Sequence, residues 1–353
     1  MVETIIVTGG AGFIGSCFVG QQVKSGKHVV VLDALTYSGS RKNLEWIRPA
    51  GGVGSWELVV GNIQDKNLIS ELLNKYSPSS IVDFAAESHV DNSISDPDAF
   101  MKTNIFGCYS LLEAVREYIS TLPTSAKDKF RYLHVSTDEV YGSLGSEGKF
   151  TEESPMRPNS PYSASKAAGD MLCRAWFHTY SLPVIVTNCT NNYGPRQFPE
   201  KLIPHMIMKA LTGGNLPIYG DGKNVRDWIH VEDHCRGVAL ALEQGKIGET
   251  YAFGGDAEYN NIQVVDTICE VLDKFFPRFD GKSYKTQKQF VKDRLGHDRR
   301  YAIDDSKAER ELGFKRSFNF ETGIISTIEW YLENTDWYKP DLITKHQQEC
   351  EVA

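Results

Sequence analysis

No stretch of this chain approaches the roughly 18 consecutive apolar residues that a membrane-spanning helix needs, so no membrane partner is expected. A basic excess is missing too: the formal charge is -8 and the sequence pI about 5.7, which leaves no broad cationic face to pair with a nucleic-acid backbone. No Cys-x-x-Cys occurs among the seven cysteines, and their number is odd, which suits buried reduced thiols better than a disulfide framework or a zinc site. Thr4-Ile5-Ile6-Val7 runs straight into a glycine turn rather than a cleavage region, so no secretory leader is read there, and a cytoplasmic location is expected. Internal repeats and low-complexity tracts are likewise lacking. One pair could mislead: His230 and His234 have the spacing of two metal ligands on a helical turn, but Trp228–Val231 reads as a strand, so the pair straddles a strand–helix junction and no metal is expected.

What is present is ample core material, 41% hydrophobic residues in 353, arranged in short β-branched runs that alternate with longer helical patterns. Strands are predicted at Thr4–Thr8, His28–Asp33, Trp56–Gly61, Ser80–Ala85, Phe130–Ser136 and Pro183–Asn188. Helices are predicted at Phe13–Ser25, Lys66–Lys75, Asp98–Tyr118 and Tyr162–Tyr180. That alternation is the sequence form of an α/β fold, a Rossmann-type doubly wound parallel sheet. After Thr190 the pattern loosens into Gly/Pro-rich stretches, so a smaller, interleaved substrate-binding domain is expected to cap the sheet. The division read is 1–190 for the dinucleotide-binding domain, 191–227 and 255–338 for the substrate domain, and 339–353 for a polar tail. Strands at Trp228–Val231 and Thr250–Gly254 are expected to return the chain to the first domain.

Gly9, Gly12 and Gly15 fall between a predicted strand and a predicted helix with Gly-x-x-Gly-x-x-Gly spacing. Glycine there permits a tight turn, lets the backbone approach a pyrophosphate and seats the anion at a helix N-terminus. The second strand ends in Asp33, where a carboxylate can accept hydrogen bonds from an adenosine ribose and repel a 2′-phosphate. NAD is therefore favoured, although Arg41 and Lys42 just downstream keep NADP open.

Tyr162 and Lys166, four residues apart at a predicted helix start, share one face. A phenol with a pKa of about 10 is lowered by a neighbouring ammonium and an oxidised nicotinamide, so Tyr162 could take a hydroxyl proton while hydride leaves the same carbon. Ser136-Thr137 at a strand end would complete the polarisation of one carbon–oxygen bond. Asp138 and Glu139, next along the chain, are surplus to simple oxidation. Two readings stand: the acids cap a turn, or they serve an elimination, one carboxylate taking a proton made acidic by a neighbouring ketone while a protonated carboxyl assists a departing hydroxyl.

The order of these pieces resembles the extended short-chain dehydrogenase/reductase family. Thr137-Asp138-Glu139-Val140-Tyr141-Gly142 resembles the signature of its nucleotide-sugar 4,6-dehydratases of the dTDP-glucose type, and the likeness continues through Ala85–Asp91, Thr187–Pro195, Phe198–Pro204, Pro217–Gly220, Arg226–Trp228 and Asp293–Asp304. It covers nearly everything before the tail. It implies C4 oxidation of dTDP-glucose or UDP-glucose, elimination of water across C5–C6 and hydride return at C6. In that scheme Asp138 is general acid, Glu139 base at C5, Thr137 a partner of the C4 oxygen, and Tyr162 with Lys166 the oxidation pair. Around NAD the resemblance puts Gly9, Gly12, Phe13, Ile14, Gly15, Asp33, Thr36, Asn62, Ile63, Ala85, Ala86, Thr103, Tyr162, Lys166 and Asn192. Around the nucleotide-sugar it puts Ser88, Thr137, Asn191, Lys201, Leu202, Pro217, Tyr219, Arg226, Asn261, Arg294 and His297, the two arginines as diphosphate clamps. The pairing of two helices, Asp98–Tyr118 and Tyr162–Tyr180, implies a homodimer. Two residues depart from the family pattern: Asn62 where an aspartate is usual, expected to accept from the adenine amino group through its carbonyl, and Leu295 where a proline is usual. A same-superfamily epimerase or decarboxylase would share the cofactor site without needing both acids, and a non-catalytic sugar-nucleotide sensor would lack one of the catalytic groups; none is missing.

Overall fold

In the computed structural model, which describes residues 2–48 and 54–338, β-branched and apolar runs form a seven-stranded parallel sheet. The tail read at 339–353 lies outside the described residues. The strands are β1 (Thr4–Thr8), β2 (His28–Asp33), β3 (Ser55–Val60), β4 (Ser80–Asp83), β5 (Arg131–Thr137), β6 (Val184–Cys189) and β10 (Thr250–Phe253), in the order β10-β6-β5-β4-β1-β2-β3. Six of them, all but the edge strand β3, are buried along almost their whole length, as parallel strands covered on both faces must be. One face carries α1 (Phe13–Lys24) and α9 (Val231–Gln244) over Ile5, Val7, Val29 and Val31. The other carries α2 (Lys66–Tyr76), α5 (Cys108–Thr121) and α7 (Pro161–Tyr180) over Ile6, Val30 and Ile81. The chain leaves β1 for β2 and β3 on one side and then crosses to β4 on the other. The crevice at the carboxyl ends of β1 and β4 is thus a topological switch point, where this architecture binds ligands.

Two expectations are corrected. The helix read as Asp98–Tyr118 is interrupted: α3 (Val90–Ser95) and α4 (Pro97–Phe100) lead into a π-helical turn, Met101–Gly107, before α5 begins. The turn's Asn104 exchanges hydrogen bonds with the Glu87 backbone (2.9 and 3.0 Å) and donates to Ser165 Oγ at 2.8 Å. An inserted residue of this kind leaves the apolar period nearly intact, so periodicity does not show it. The strand read at Trp228–Val231 does not rejoin the main sheet. It is the end of β9 (Val225–His230), which pairs with β7 (Asn191–Tyr193) and β11 (Glu258–Asn260) in a separate three-stranded sheet. Asp227 fixes it there by accepting from the Gly255 and Ala257 amides at 3.0 and 2.9 Å. The chain returns to the main sheet only with α9 and β10. An apolar run identifies a strand but not the sheet it joins.

Beyond β6, α8 (Leu202–Leu211), α10 (Asn261–Phe275) and α12 (Phe320–Glu333) share a separate core with Tyr193, Trp228 and Leu216. A parallel pair, β8 (Leu216–Tyr219) with β12 (Lys288–Val291), lies at its edge. The short helices α6 (Thr124–Lys127) and α11 (Ser306–Leu312) complete the set named here.

Candidate active site

Backbone crowding explains the glycine turn. A Cβ on Gly9, whose φ is 63°, would sit 2.6 Å from the Ala85 amide nitrogen, and one on Gly15 would sit 2.2 Å from the Gly9 carbonyl oxygen. Asp33, at the end of β2, ties the turn down: its carboxylate accepts from Ala11 N at 2.9 Å and Leu35 N at 2.8 Å. Burial raises its pKa and these two amides oppose the rise. The turn opens on a cavity of about 300 Å³ at the switch point. Every residue expected around the dinucleotide lines it: Gly9, Gly12, Phe13, Ile14 and Gly15 from the turn, Asp33 and Thr36 after β2, Asn62 and Ile63 after β3, Ala85 and Ala86 after β4, then Thr103, Tyr162, Lys166 and Asn192. Two differ in detail. Asn62 Oδ1 already accepts from Gln64 N at 2.9 Å, which leaves one lone pair for the adenine contact expected of it. Asn192 has spent its amide within the protein, on Thr190 O (3.0 Å), Cys189 Sγ (3.4 Å) and His234 Nδ1 (2.9 Å). His230, the other member of the deceptive pair, stacks on Phe318 at 3.9 Å.

A second cavity, about 330 Å³, adjoins the first. Ser88, Asn191, Lys201, Leu202, Pro217, Tyr219, Arg226, Asn261, Arg294 and His297 line it, so the residues expected to hold the nucleotide-sugar come together from seven segments, while Thr137 lines the first cavity. Each base is held from behind. Arg226 donates to Asp298 O at 3.0 Å and stacks over Tyr301, Arg294 pairs with Asp91 at 2.5 and 2.7 Å, His297 pairs with Asp293 at 2.7 Å, and Lys201 donates to Ser88 O at 2.9 Å. Leu295 points outward, 72% exposed, and takes no part.

Where the cavities meet, the chemistry-bearing groups converge. Ser160 and Ser163 cap α7 reciprocally, with Pro161 at its first position, an arrangement worth about 1 kcal/mol that fixes Tyr162 and Lys166 one turn apart. Thr137 closes β5, and its hydroxyl, not an acid, caps the turn Asp138–Tyr141 by accepting from Glu139 N at 3.3 Å. Neither carboxylate caps the turn, although Asp138 Oδ1 accepts from the Thr137 hydroxyl at 3.4 Å. Asp138 lines the first cavity with Oδ2 buried and unpartnered, and Glu139 lines both cavities. Burial, reinforced by the charge of Glu139, pushes the Asp138 carboxyl up to about 8. Glu139 is raised too, by burial, but Arg226, Lys201 and Arg294 oppose the shift and favour its carboxylate. Adjacent acids whose surroundings push them apart, Asp138 toward its neutral form and Glu139 back toward its carboxylate by three cations, suit an acid–base pair.

The lowering expected of Tyr162 needs Lys166 together with an oxidised nicotinamide; the chain's own side chains act the other way. Burial first, then the charge of Glu139, holds the phenol well above its ordinary range. The Lys166 ammonium is engaged elsewhere, donating to Val135 O at 2.8 Å and lying 3.5 Å from His134 Nε2. Sequence reasoning assigned nothing to Asp91, Gln197, Phe198, Glu200, Asp298 or Tyr301 in the second cavity, or to the buried Asp83 and His134 behind Lys166. Phe198 and Glu200 lay inside a quoted motif, Asp91 ended another, and His134 directly precedes the strand end at Val135-Ser136-Thr137. Among the described residues, Cys108, His134 and Cys173 form the one His/Cys/Asp/Glu group compact enough for a metal, but the Lys166 ammonium beside His134 opposes a cation.

The model of the GDP-mannose 4,6 dehydratase family matches residues 6–327. The chain belongs to that family. Among such nucleotide-sugar dehydratases, it is 56% identical over 95% of both chains to the dTDP-glucose 4,6-dehydratase of Xanthomonas campestris pv. campestris strain B100, and 50% identical over 94% of both chains to that of Salmonella typhimurium. Its fold matches the Streptomyces venezuelae dTDP-glucose 4,6-dehydratase DesIV, solved with NAD bound, with a TM-score of 0.85 at 43% identity over 96% of this chain and 99% of the other. A UDP-glucose 4-epimerase from Thermotoga maritima matches at a TM-score of 0.82 but 27% identity, over 94% of this chain and 100% of the other. Dehydratase and epimerase thus share this scaffold.

Proposed function

We propose that this dehydratase acts on dTDP-glucose, converting it with NAD to the 4-keto-6-deoxy sugar nucleotide. The observation that carries the reading is Asp138, held neutral to about pH 8 beside Glu139 at the junction of the cavities. C4 oxidation alone, or epimerisation, needs no such acid; elimination does. The glycine cradle and the buried Asp33 carboxylate suit the pyrophosphate and ribose of NAD, which supplies the two-electron acceptor at C4 and donor at C6. Tyr162 accepts the C4 hydroxyl proton, Lys166 holds positive charge behind it, and Thr137 donates to the C4 oxygen. Glu139 takes the C5 proton, acidic once C4 is a ketone, and Asp138 protonates the departing C6 hydroxyl. Arg226 and Arg294 meet the diphosphate, with residues 1–190 and their return segments on the cofactor side and 191–227 with 255–338 on the sugar side. One methyl group separates thymine from uracil, worth about 1–3 kcal/mol; the likeness to dTDP-glucose enzymes favours thymine. Incubation with dTDP-glucose and UDP-glucose in parallel, followed by mass, tests this. Loss of one water, faster from dTDP-glucose, is expected, whereas a C4 epimer of unchanged mass overturns it.

A homodimer belongs to the same reading. Phe106, Tyr109, Met171 and Tyr180 form an exposed apolar strip on the π-turn, α5 and α7, the elements expected to pair two subunits. Sedimentation as a monomer across micromolar concentrations would remove it. The six described cysteines are all buried and free, which suits a cytoplasmic enzyme, and no described helix is long and apolar enough to cross a membrane.

A further inference from the structure

Behind the catalytic pair lies a row of buried ionisable groups that the chemistry above does not use. Tyr162, Lys166 and Asp170 follow one another at four-residue intervals along α7 and share one face of the helix. The row ends at a third cavity, about 280 Å³, which has Asp170 in its wall and shares no lining residue with the other two. His134 of β5 bridges the row: its Nε2 lies 3.5 Å from Lys166 Nζ and 3.6 Å from Asp170 Oδ1. Its Nδ1 lies 3.0 Å from Asp83 Oδ2, and that carboxylate is held by the hydroxyls of Thr8 (2.6 Å) and Tyr132 (3.1 Å). A ring that presents Nδ1–H to Asp83 leaves Nε2 free to take and pass a proton. Asp170 Oδ2 accepts from Asn188 at 3.1 Å, while Oδ1 is buried with no hydrogen-bond partner. An orphaned, buried carboxylate oxygen needs a reason.

Besides Asp83, Lys166 and Asp170, the titratable groups around His134 are the thiols of Cys108 and Cys173. Burial and the Lys166 charge disfavour its imidazolium, and Cys108 with Asp83 outweigh them, so its pKa is raised. Burial raises Asp170 as well, against His134 and Lys166.

The proposed reaction leaves the protein out of proton balance. The C4 hydride returns at C6, so the redox change closes on the sugar. Glu139 takes one proton from C5 and, after exchange with solvent, gives one back to C5. The C6 hydroxyl departs as water with the Asp138 proton, and the C4 hydroxyl proton stays on Tyr162. Each turnover therefore ends with Tyr162 one proton richer and Asp138 one poorer. We propose that His134 and Asp170 form a proton outlet running from the Tyr162–Lys166 pair to the third cavity. The Lys166 ammonium passes a proton to His134 Nε2 and takes the phenol proton of Tyr162 in its place. His134 Nε2–H gives its proton to Asp170 Oδ1, and Asp170 gives it to water in the cavity. Each transfer breaks one N–H or O–H bond and forms another, no electrons change hands, and Asp138 regains its proton from solvent on the sugar side. The inference rests on the dehydratase reading and on the roles given there to Tyr162 and Asp138.

Asp170→Asn keeps the acceptor for Asn188 but cannot carry the proton. With dTDP-glucose under rapid quench, we expect its first turnover within about twofold of the parent enzyme and later turnovers at least tenfold slower. A burst of one product per site should appear, with a larger solvent deuterium isotope effect on the slow phase. Asp170→Glu, which restores a proton carrier, should abolish the burst. Should Asp170→Asn not fold or retain its cofactor, His134→Gln is read the same way. First and later turnovers slowed equally, or both unchanged, overturn the outlet and leave the row a structural ion network. A parent enzyme that removes no water from dTDP-glucose overturns the dehydratase reading instead, so the two failures are distinguishable.

Discussion

The two ends of the ligand crevice are built by different means. At the cofactor end the shape comes from backbone: a turn that admits only glycine at Gly9 and Gly15, clamped by one carboxylate on two amides. At the sugar end it comes from side chains on seven segments, and each cation is aimed by a carboxylate or carbonyl behind it, as Asp91 aims Arg294 and Asp293 aims His297. A backbone site is rigid and fails by steric overlap. A side-chain site is adjustable and fails by losing charge or aim. The acids at the junction belong to neither pattern, because burial and surrounding charge, Glu139 for Asp138 and three cations for Glu139, act on them rather than any single contact.

The largest effect should come from the junction. Glu139→Gln keeps the side chain's shape and removes the base, so kcat should fall about 10²–10⁴-fold while C4 oxidation persists. Solvent deuterium should enter C5 of the product in the parent and far more slowly in the variant. Near-native dehydration by the variant would remove Glu139 from its role.

At the sugar end, Arg294→Ala should raise KM about 10–100-fold with kcat nearly kept, the loss of a charge-assisted hydrogen bond worth about 1.5–3 kcal/mol. A fall in kcat without a change in KM would mean that Arg294 acts on the reacting carbons, and the contrast between clamp and junction would break.

At the cofactor end, Gly15→Ala should cost about 1–3 kcal/mol of stability through overpacking and should lower the NAD retained by the purified protein. Denaturant unfolding and cofactor stoichiometry measure both. A variant with full stability and full NAD content would show that the turn is as adjustable as the sugar end.

The smallest effect is the pH dependence of the free enzyme. Asp138 must be protonated to act as acid, and its carboxyl titrates near 8. The sign follows: kcat/KM should hold below that pH and fall as pH rises through it, about tenfold per unit above. Asp138→Asn should lose activity at all pH values and with it this limb. An alkaline limb unchanged in that variant's residual activity would assign it to another group. The same shift bears on stability. The folded protein binds this proton more tightly than the unfolded chain does, so the fold loses stability as pH rises from about 4 to about 8.

The sequence was most informative where function depends on neighbours along the chain. Strands β1 and β2, the glycine spacing, Asp33 at a strand end and the Tyr162/Lys166 interval are all local patterns, and each has a local physical cause. It was least informative where one inserted residue or one distant partner decides. The π-helical turn at Met101–Gly107 barely disturbs the apolar period, and β9 reads like any return strand until Asp227 binds the Gly255 and Ala257 amides.

The sequence by itself thus determined the doubly wound sheet, the glycine turn and the close placing of Asp138 beside Glu139 and of Tyr162 one turn from Lys166, because period, turn chemistry and spacing act over a few residues. Only the tertiary structure decided which acid is neutral, what aims each arginine and what stands behind Lys166. Those depend on desolvation and on charges such as Glu139 against Asp138, or Asp83 and Asp170 around His134. Burial and through-space charge are properties of the packed whole, and no order of residues along a chain states them.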